Sequence, residues 1–230
     1  MKDTFKGFLD LFYPARCRAC GAFSKNLLCP DCLDSFSLIQ PPICKRCGKP
    51  CSMEVDDCRE CKNKFKFSVA RSLGLYEGNL RTAIHKFKYK NARGLAATFA
   101  EMMTGLANDF NNVDLITNVP LSRKKELYRG YNQAHLLAQE IAKRTDLICE
   151  ATLRRVAEEV DQTKLSLKER KQNVKGAFVF NGNKNITGKS LLLIDDVFTT
   201  GSTVNECGKV LLKAGAKNLS VLTIARVCDI

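Results

Sequence analysis

No apolar run in this 230-residue chain approaches the roughly 20 residues needed to cross a bilayer, which argues against a helical membrane span. The N-terminal stretch "MKDTFKGFLDLFYPARC" lacks an uninterrupted apolar core because Asp3 and Asp10 break it. It therefore does not read as a secretory signal, and the cytoplasm is the expected compartment. Phe5, Phe8, Leu9 and Phe12 fall there at helical spacing, which predicts a short amphipathic helix packed on the rest of the protein rather than a membrane anchor. The dinucleotide fingerprint G-x-G-x-x-G is missing, so a cofactor turn of that kind is excluded. Acid is scarce relative to base: 24 Asp and Glu stand against 37 Lys and Arg, a formal net charge of +13. Such a surplus attracts phosphates and nucleic acid, although a solvated basic surface has the same composition.

Cysteine is what the chain has in excess. There are 12, nine of them before residue 62, with Cys149, Cys207 and Cys228 scattered singly. The nine include four C-x-x-C turns: "CRAC" with Cys17 and Cys20, "CPDC" with Cys29 and Cys32, "CKRC" with Cys44 and Cys47, and "CREC" with Cys58 and Cys61. In a reducing compartment such pairs point to metal rather than disulfides. Two turns complete a tetrahedral shell of four thiolates, a closed structural zinc site with no position left for a reactive water. Four turns predict two zinc ions. Sequential pairing of the turns gives two zinc ribbons and interleaved pairing gives a cross-brace; the sequential form is preferred because each short loop closes alone. Cys51 is left as a spare thiol. A segment this small cannot bury an adequate core, so metal supplies its folding free energy. It serves either as a contact surface for nucleic acid or a partner, or as a staple docked on the main domain.

The composition changes near residue 66, which predicts a Cys-rich module over 1–66 and a second domain over 67–230. In the second part strand-like and helix-like stretches alternate, the pattern of an α/β domain with a mainly parallel sheet flanked by helices. Strands are expected at 68–76, 113–119, 152–156, 176–180, 190–196 and 218–227. Helices are expected at 79–90, 94–110, 132–145 with Asn132 as cap, and 202–215 closed by Gly215. Residues 157–175 are polar, with no apolar stripe.

The most informative stretch is "LLLIDDVFTTGST", Leu191 to Thr203. An aliphatic strand ends in two adjacent carboxylates at the edge where open α/β sheets place their ligands. It hands over to a turn of hydroxyls around one glycine, at the start of a helix whose first amides are unpaired. Gly201 allows close backbone approach, and Thr199, Thr200, Ser202 and Thr203 add small donors, a cradle for a phosphate dianion. Asp195 and Asp196 would repel that phosphate unless they face hydroxyl donors, and the vicinal pair of a ribose supplies two. The reading is a ribose 5-phosphate site. The turn lacks the GK[ST] that a Walker A loop requires.

This stretch resembles the phosphoribosyl pyrophosphate (PRPP) motif of type I phosphoribosyltransferases. "VPLSRKKELYRGYNQAHLLA" at 119–138, "DQTKLSLKERKQNVKGAF" at 161–178 and the Cys-rich N-terminus further resemble the ComF family, competence-associated phosphoribosyltransferase-like proteins with a double zinc ribbon. The resemblance implies a type I phosphoribosyltransferase fold. It places Asp195 and Asp196 on the ribose hydroxyls and Thr199, Thr200, Gly201, Ser202 and Thr203 on the 5-phosphate. The turn at Asn118 to Leu121, with Val119 and Pro120, takes the position of the pyrophosphate loop. Arg123, Lys124, Lys125 and Arg129 lie just beyond it. Lys164, Lys168 and Arg170 fall on a loop that covers such sites, and Arg129 and Arg170 are the leading candidates to neutralise the leaving group. Mg²⁺ would bridge pyrophosphate and ribose.

Two departures from related enzymes narrow the function that the resemblance implies. The residue corresponding to Thr199 is an acid in 6-oxopurine salvage enzymes, so salvage of that type is disfavoured. No N-terminal catalytic cysteine is present, which disfavours a glutaminase-bearing amidotransferase. Two functions remain. One is a PRPP-binding protein of DNA uptake and natural transformation that contacts single-stranded DNA and other uptake proteins. The other is an active transferase moving phosphoribosyl to an unidentified acceptor. The stretch "RTAIHKFKYKNARG" at 81–94 holds five bases, interleaved Phe87 and Tyr89 and no acid. It reads either as a backbone-tracking, base-stacking surface or as a core helix with solvated lysines, with His85 a packing or surface residue.

Overall fold

The computed structural model describes residues 15–62, 64–107, 110, 112–156 and 174–228. The expected N-terminal amphipathic helix and the loop residues Lys164, Lys168 and Arg170 lie outside the described residues.

Four strands form one parallel sheet: β1 (Val69–Leu75), β2 (Leu115–Asn118), β5 (Ser190–Phe198) and β6 (Asn218–Arg226), in the order β1-β6-β5-β2. A separate antiparallel pair joins β3 (Leu153–Arg155) to β4 (Phe178–Phe180). The sheet is parallel throughout because each consecutive strand is reached through helix: α2 (Gly78–Tyr89), α3 (Leu95–Ala107), α4 (Arg123–Arg129), α5 (Gln133–Thr145) and α6 (Ser202–Lys213). The only helix described in the cysteine module is α1 (Pro30–Asp34).

Side-chain alternation along the strands divides the core in two. Ile116, Leu192, Ile194, Leu222 and Ile224 face α2, α3 and α5 on one side of the sheet. Leu115, Leu191, Leu193, Leu219 and Val221 face α6 and the β3–β4 pair on the other. Strands buried on both faces read as continuous aliphatic runs, as "LLLI" does. Phe67, Phe87, Phe99, Leu137 and Ile141 are fully buried, each worth roughly 1.5–3 kcal/mol of apolar transfer.

The cysteine module is docked along the β1 edge of the sheet. Ile39 N–H donates to Leu73 O at 3.0 Å, Leu75 N–H to Ser37 O at 2.9 Å and Ala70 N–H to Arg46 O at 2.7 Å. These bonds occupy edge groups that would otherwise be left for another chain to pair with.

Three features differ from the sequence expectation. β5 runs two residues past Asp196 because Val197 and Phe198 still pair with Ala225 and Arg226. The helix expected to reach residue 110 is described over Leu95–Ala107, and Phe110 is not helical. Helix α4 was not expected at all: it buries none of its residues, and no apolar stripe announces it. Its ends hold it instead. The Ser122 side chain accepts from Lys125 N–H, and Gly130 closes it in the left-handed region at φ 75°, a side-chain cap and a glycine stop.

Candidate functional site

The two carboxylates stand on β5 one and two residues past its last pairing with β2, toward the carboxyl edge of the sheet. Successive strand residues point to opposite faces, so Asp195 falls with the α6 side and Asp196 with the α2 side. Both line one cleft of about 210 Å³, together with Tyr76, Lys88, Val119, Pro120, Leu121, Lys125, Arg129, Arg155, Thr199 and Thr203. Of the residues assigned above to ribose, phosphate and pyrophosphate, the structure thus brings Asp195, Asp196, Thr199, Thr203, the Val119–Leu121 turn and Arg129 together.

Asp196 is ion-paired with Lys88 Nζ at 2.8 Å, their side chains 14% and 17% exposed. Burial by itself would lower the Lys88 pKa; the Asp196 carboxylate more than offsets it and the ammonium is held. Asp195 accepts the Asp196 N–H at 2.8 Å. Burial first, then the neighbouring Asp196 charge, push its carboxyl up to about 7, against the pull of Lys88 and Arg129. Burial disfavours the charged form of Asp195, while the direct ion pair of these two acids joins Asp196 to Lys88. Burial lowers the Arg155 pKa, opposed in part by Asp195.

The turn that follows leaves β5 at Phe198 and enters α6 through Gly201, which lies at φ 72°. Among the described residues, no backbone hydrogen bond engages the amides of Thr199, Thr200 and Gly201. The hydroxyls do not all face the same way. Thr200 Oγ1 and Ser202 Oγ are 2.8 Å apart, and both residues line a separate groove of about 240 Å³ beside Lys64 and Phe65. Thr199 and Thr203 are the hydroxyls of the main cleft.

Opposite β5, Val119 N–H donates to Ile194 O at 3.0 Å, and Asn132 Nδ2 holds Val119 O at 3.0 Å. Asn132 also caps α5, accepting from His135 N–H as expected. Arg129 donates to Gln133 Oε1 at 2.9 Å and to the Tyr89 hydroxyl at 3.0 Å, with its guanidinium 4.7 Å above the Tyr89 ring.

Sequence reasoning missed Lys88 and Arg155 as site residues. Lys88 had a signal: it continues the Leu80–Ile84 stripe of α2 at i+4 spacing, where a charged residue needs a buried partner. Arg155 had none, since β3 lies outside the main sheet. The basic stretch 81–94 does not form one surface. Phe87 is fully buried, Lys88 enters the cleft, Lys86 Nζ donates to Ala19 O and Arg93 Nη2 to Gly130 O.

In the module, Cys17, Cys20, Cys29 and Cys32 form one cluster and Cys44, Cys47, Cys58 and Cys61 another, the sulfurs of each within 4.8 Å of one another. The turns pair sequentially. Cys51 stands apart, its thiol directed at Lys49 O. Sγ–Sγ separations of 3.7 Å for Cys20–Cys29 and 3.6 Å for Cys44–Cys61 match the roughly 3.8 Å edge of a tetrahedron with 2.3 Å Zn–S bonds. The sulfurs cannot all ionise unaided. Burial and the neighbouring Cys20 and Cys29 thiols push Cys32 up to about 12. At Cys17, backbone donors led by Cys29 N–H outweigh burial and bring its pKa down to about 6. A divalent cation is what reconciles four such groups, and the donor sets support structural zinc.

Residues 8–67 match the double zinc ribbon domain family and residues 127–229 the phosphoribosyl transferase domain family. Competence protein F of Haemophilus influenzae is 32% identical over 227 residues, covering 94% of this chain and 98% of that protein. The chain belongs to the ComF family. Other similar proteins are DNA utilization protein YhgH of Salmonella typhimurium, 30% identical over 80% of this chain and 84% of that protein, and competence protein ComFC of Bacillus subtilis, 29% identical over 86% of this chain and 84% of that one. The α/β unit of this ComF-family chain has the type I phosphoribosyltransferase fold, with the zinc-ribbon module at its N-terminal side. No described helix is long and apolar enough to cross a membrane.

Proposed function

We propose that the cleft binds the ribose 5-phosphate portion of PRPP, and that the protein uses this site in DNA uptake, in contact with single-stranded DNA. One observation carries the ligand reading. The acid pair, the open amides before α6 and the cationic Lys125 and Arg129 share a single cleft at the carboxyl edge of the sheet. Asp195 and Asp196 suit the ribose diol, Thr199 and Thr203 the 5-phosphate, and the Val119–Leu121 turn with Arg129 the pyrophosphate. The donor atoms around such a ligand are oxygens, which fits Mg²⁺; when bound with PRPP, the ion would neutralise phosphate charge.

The uptake role is supported by relatives named competence and DNA utilization proteins. Contact with DNA is supported by the net charge of +13 and by exposed Tyr89, whose hydroxyl and ring meet Arg129 at the cleft. Rings next to bases suit strand backbones and stacked bases. A second reading, transfer of phosphoribosyl to an acceptor, is favoured by the cations lining the cleft, since a departing pyrophosphate needs its charge neutralised.

The test is calorimetric titration of zinc-replete protein with PRPP and Mg²⁺, ribose 5-phosphate, and a short single-stranded oligonucleotide at two salt concentrations. PRPP should bind, and Asp195→Asn with Asp196→Asn should abolish it. Oligonucleotide binding should fall steeply with salt. PRPP heats unchanged in the double variant would end the ligand reading, and no oligonucleotide binding at low salt would end the DNA reading.

A further inference from the structure

We propose that Phe65, where the second cysteine cluster joins the α/β domain, is a positioning residue for the anion-binding turn, so that the second zinc site holds that turn ready for its ligand. The proposal rests on the ribose 5-phosphate reading of the cleft and adds what sets the turn's shape.

The contact is direct. A Cβ built on Gly201 would lie 2.6 Å from Phe65 Cε1, 2.8 Å from Phe65 Cζ and 2.7 Å from Phe198 Cζ. The left-handed backbone of the turn therefore rests on two rings, and a glycine is needed there for conformation and for space. Phe65 is itself fixed. It stacks on Phe67 with centroids 4.7 Å apart and meets Phe198 edge-on at 5.8 Å. Its carbonyl accepts Arg46 Nη2 at 2.9 Å, and Arg46 sits in the ligand loop between Cys44 and Cys47. The next residue, Lys66, donates its N–H to Asn205 Oδ1 at 2.8 Å, in the first turn of α6. A second link closes the frame: buried Arg226 donates Nη1 to Cys47 O at 2.5 Å and lies 5.1 Å over the Phe198 ring.

The turn needs this support. Among the described residues its leading amides have no backbone partner, and an anion binds best where donors are already in place. The alternative is that Phe65 is only core filling. Core filling would lower stability as a whole without singling out residues 199–203.

Two measurements separate these roles. Ribose 5-phosphate titration should show roughly tenfold weaker binding for Phe65→Ala, the scale of lost aromatic pairs, with partial recovery in Phe65→Leu. Amide hydrogen exchange should accelerate at Ser202 and Asn205, whose N–H groups donate to Thr200 Oγ1 and Gly201 O, in Phe65→Ala and leave Leu191–Ile194 of β5 unchanged, with zinc content as in wild type. Should Phe65→Ala fail to fold, Phe65→Leu against wild type carries the same comparison at smaller amplitude. Equal affinity in the variants, or exchange that rises uniformly along the chain, would overturn the proposal. Wild-type protein that does not bind ribose 5-phosphate would remove the ligand reading instead; the exchange comparison still decides whether Phe65 sets the turn.

Discussion

The two cysteine clusters are alike in chemistry and opposite in placement. Cys17, Cys29 and Cys32 pack into the core on the α2 side of the sheet, against the face that carries Leu80, Ile84 and Phe87. Cys44, Cys47 and Cys61 pack into the core on the α6 side, with Phe65, Phe67 and Phe198. The module therefore clasps the β1 edge with one cluster on each face. The walls of the cleft divide the same way: α2 presents Lys88 to Asp196 from the first side, and the Gly201 turn rests on Phe65 on the second. Two similar cysteine clusters thus pack behind different walls of one cleft.

The largest expected effect comes from breaking the clusters one at a time. Cys17→Ser and Cys44→Ser should each reduce bound zinc from two ions to one and cost at least about 3 kcal/mol, since metal affinity is folding energy in so small a module. Metal analysis and denaturant titration check this. Hydrogen exchange should then divide the variants, with Cys17→Ser loosening α2 and Cys44→Ser loosening the Ser202 and Asn205 amides that close the Gly201 turn. If both variants loosen both walls equally, the clasp does not assign one wall to each cluster.

Next in size is the ion pair in the first wall. Lys88→Ala leaves the Asp196 carboxylate buried without its partner, which typically costs about 3–5 kcal/mol. Urea midpoints should show the loss, and Lys88→Ala combined with Asp196→Asn should recover part of it, because the uncompensated charge is gone. A double variant no better than the single would mean that Lys88 acts through packing alone.

A smaller effect sits on Asp195. Its folded-state pKa is raised from 3.8 to about 7, so between those values the folded chain holds a proton that the unfolded chain has released. Stability from this group is intact below 3.8 and falls as pH rises toward about 7. Asp195→Asn removes that slope. The melting temperature of the variant relative to wild type should therefore rise across this window, as read by thermal denaturation. A difference independent of pH would show that Asp195 is ionised throughout.

Much of this was written locally in the chain. Four C-x-x-C turns carry their metal in their spacing, and "LLLIDD" declares a doubly buried strand ending in acids. What could not be read depends on which face an element packs against. Lys88 and Lys86 are near neighbours in one basic stretch, yet one enters the cleft and the other reaches Ala19 O. Thr199 and Thr200 are adjacent hydroxyls, yet they line different cavities. Helix α4 stayed hidden since caps, not burial, define it. The clasp itself is a property of two ribbons and a sheet edge together, and no single motif encodes it.

The smallest expected effect tests whether position within a ligand loop decides a residue's weight. Lys45 and Arg46 are consecutive between Cys44 and Cys47. The Lys45 side chain is 56% exposed and pairs with Glu54 at 3.3 Å and Asp56 at 3.1 Å. Arg46 turns inward to the Phe65 carbonyl at 2.9 Å. Solvent screens the first pair and side-chain entropy offsets most of its attraction. Lys45→Ala should therefore leave zinc content, melting temperature and ribose 5-phosphate affinity unchanged, whereas Arg46→Ala should speed exchange at Ser202 and Asn205. If Lys45→Ala loosened the turn as much as Arg46→Ala, support would come from the charge of the loop as a whole, and the line from the second cluster through Phe65 to Gly201 would lose its meaning.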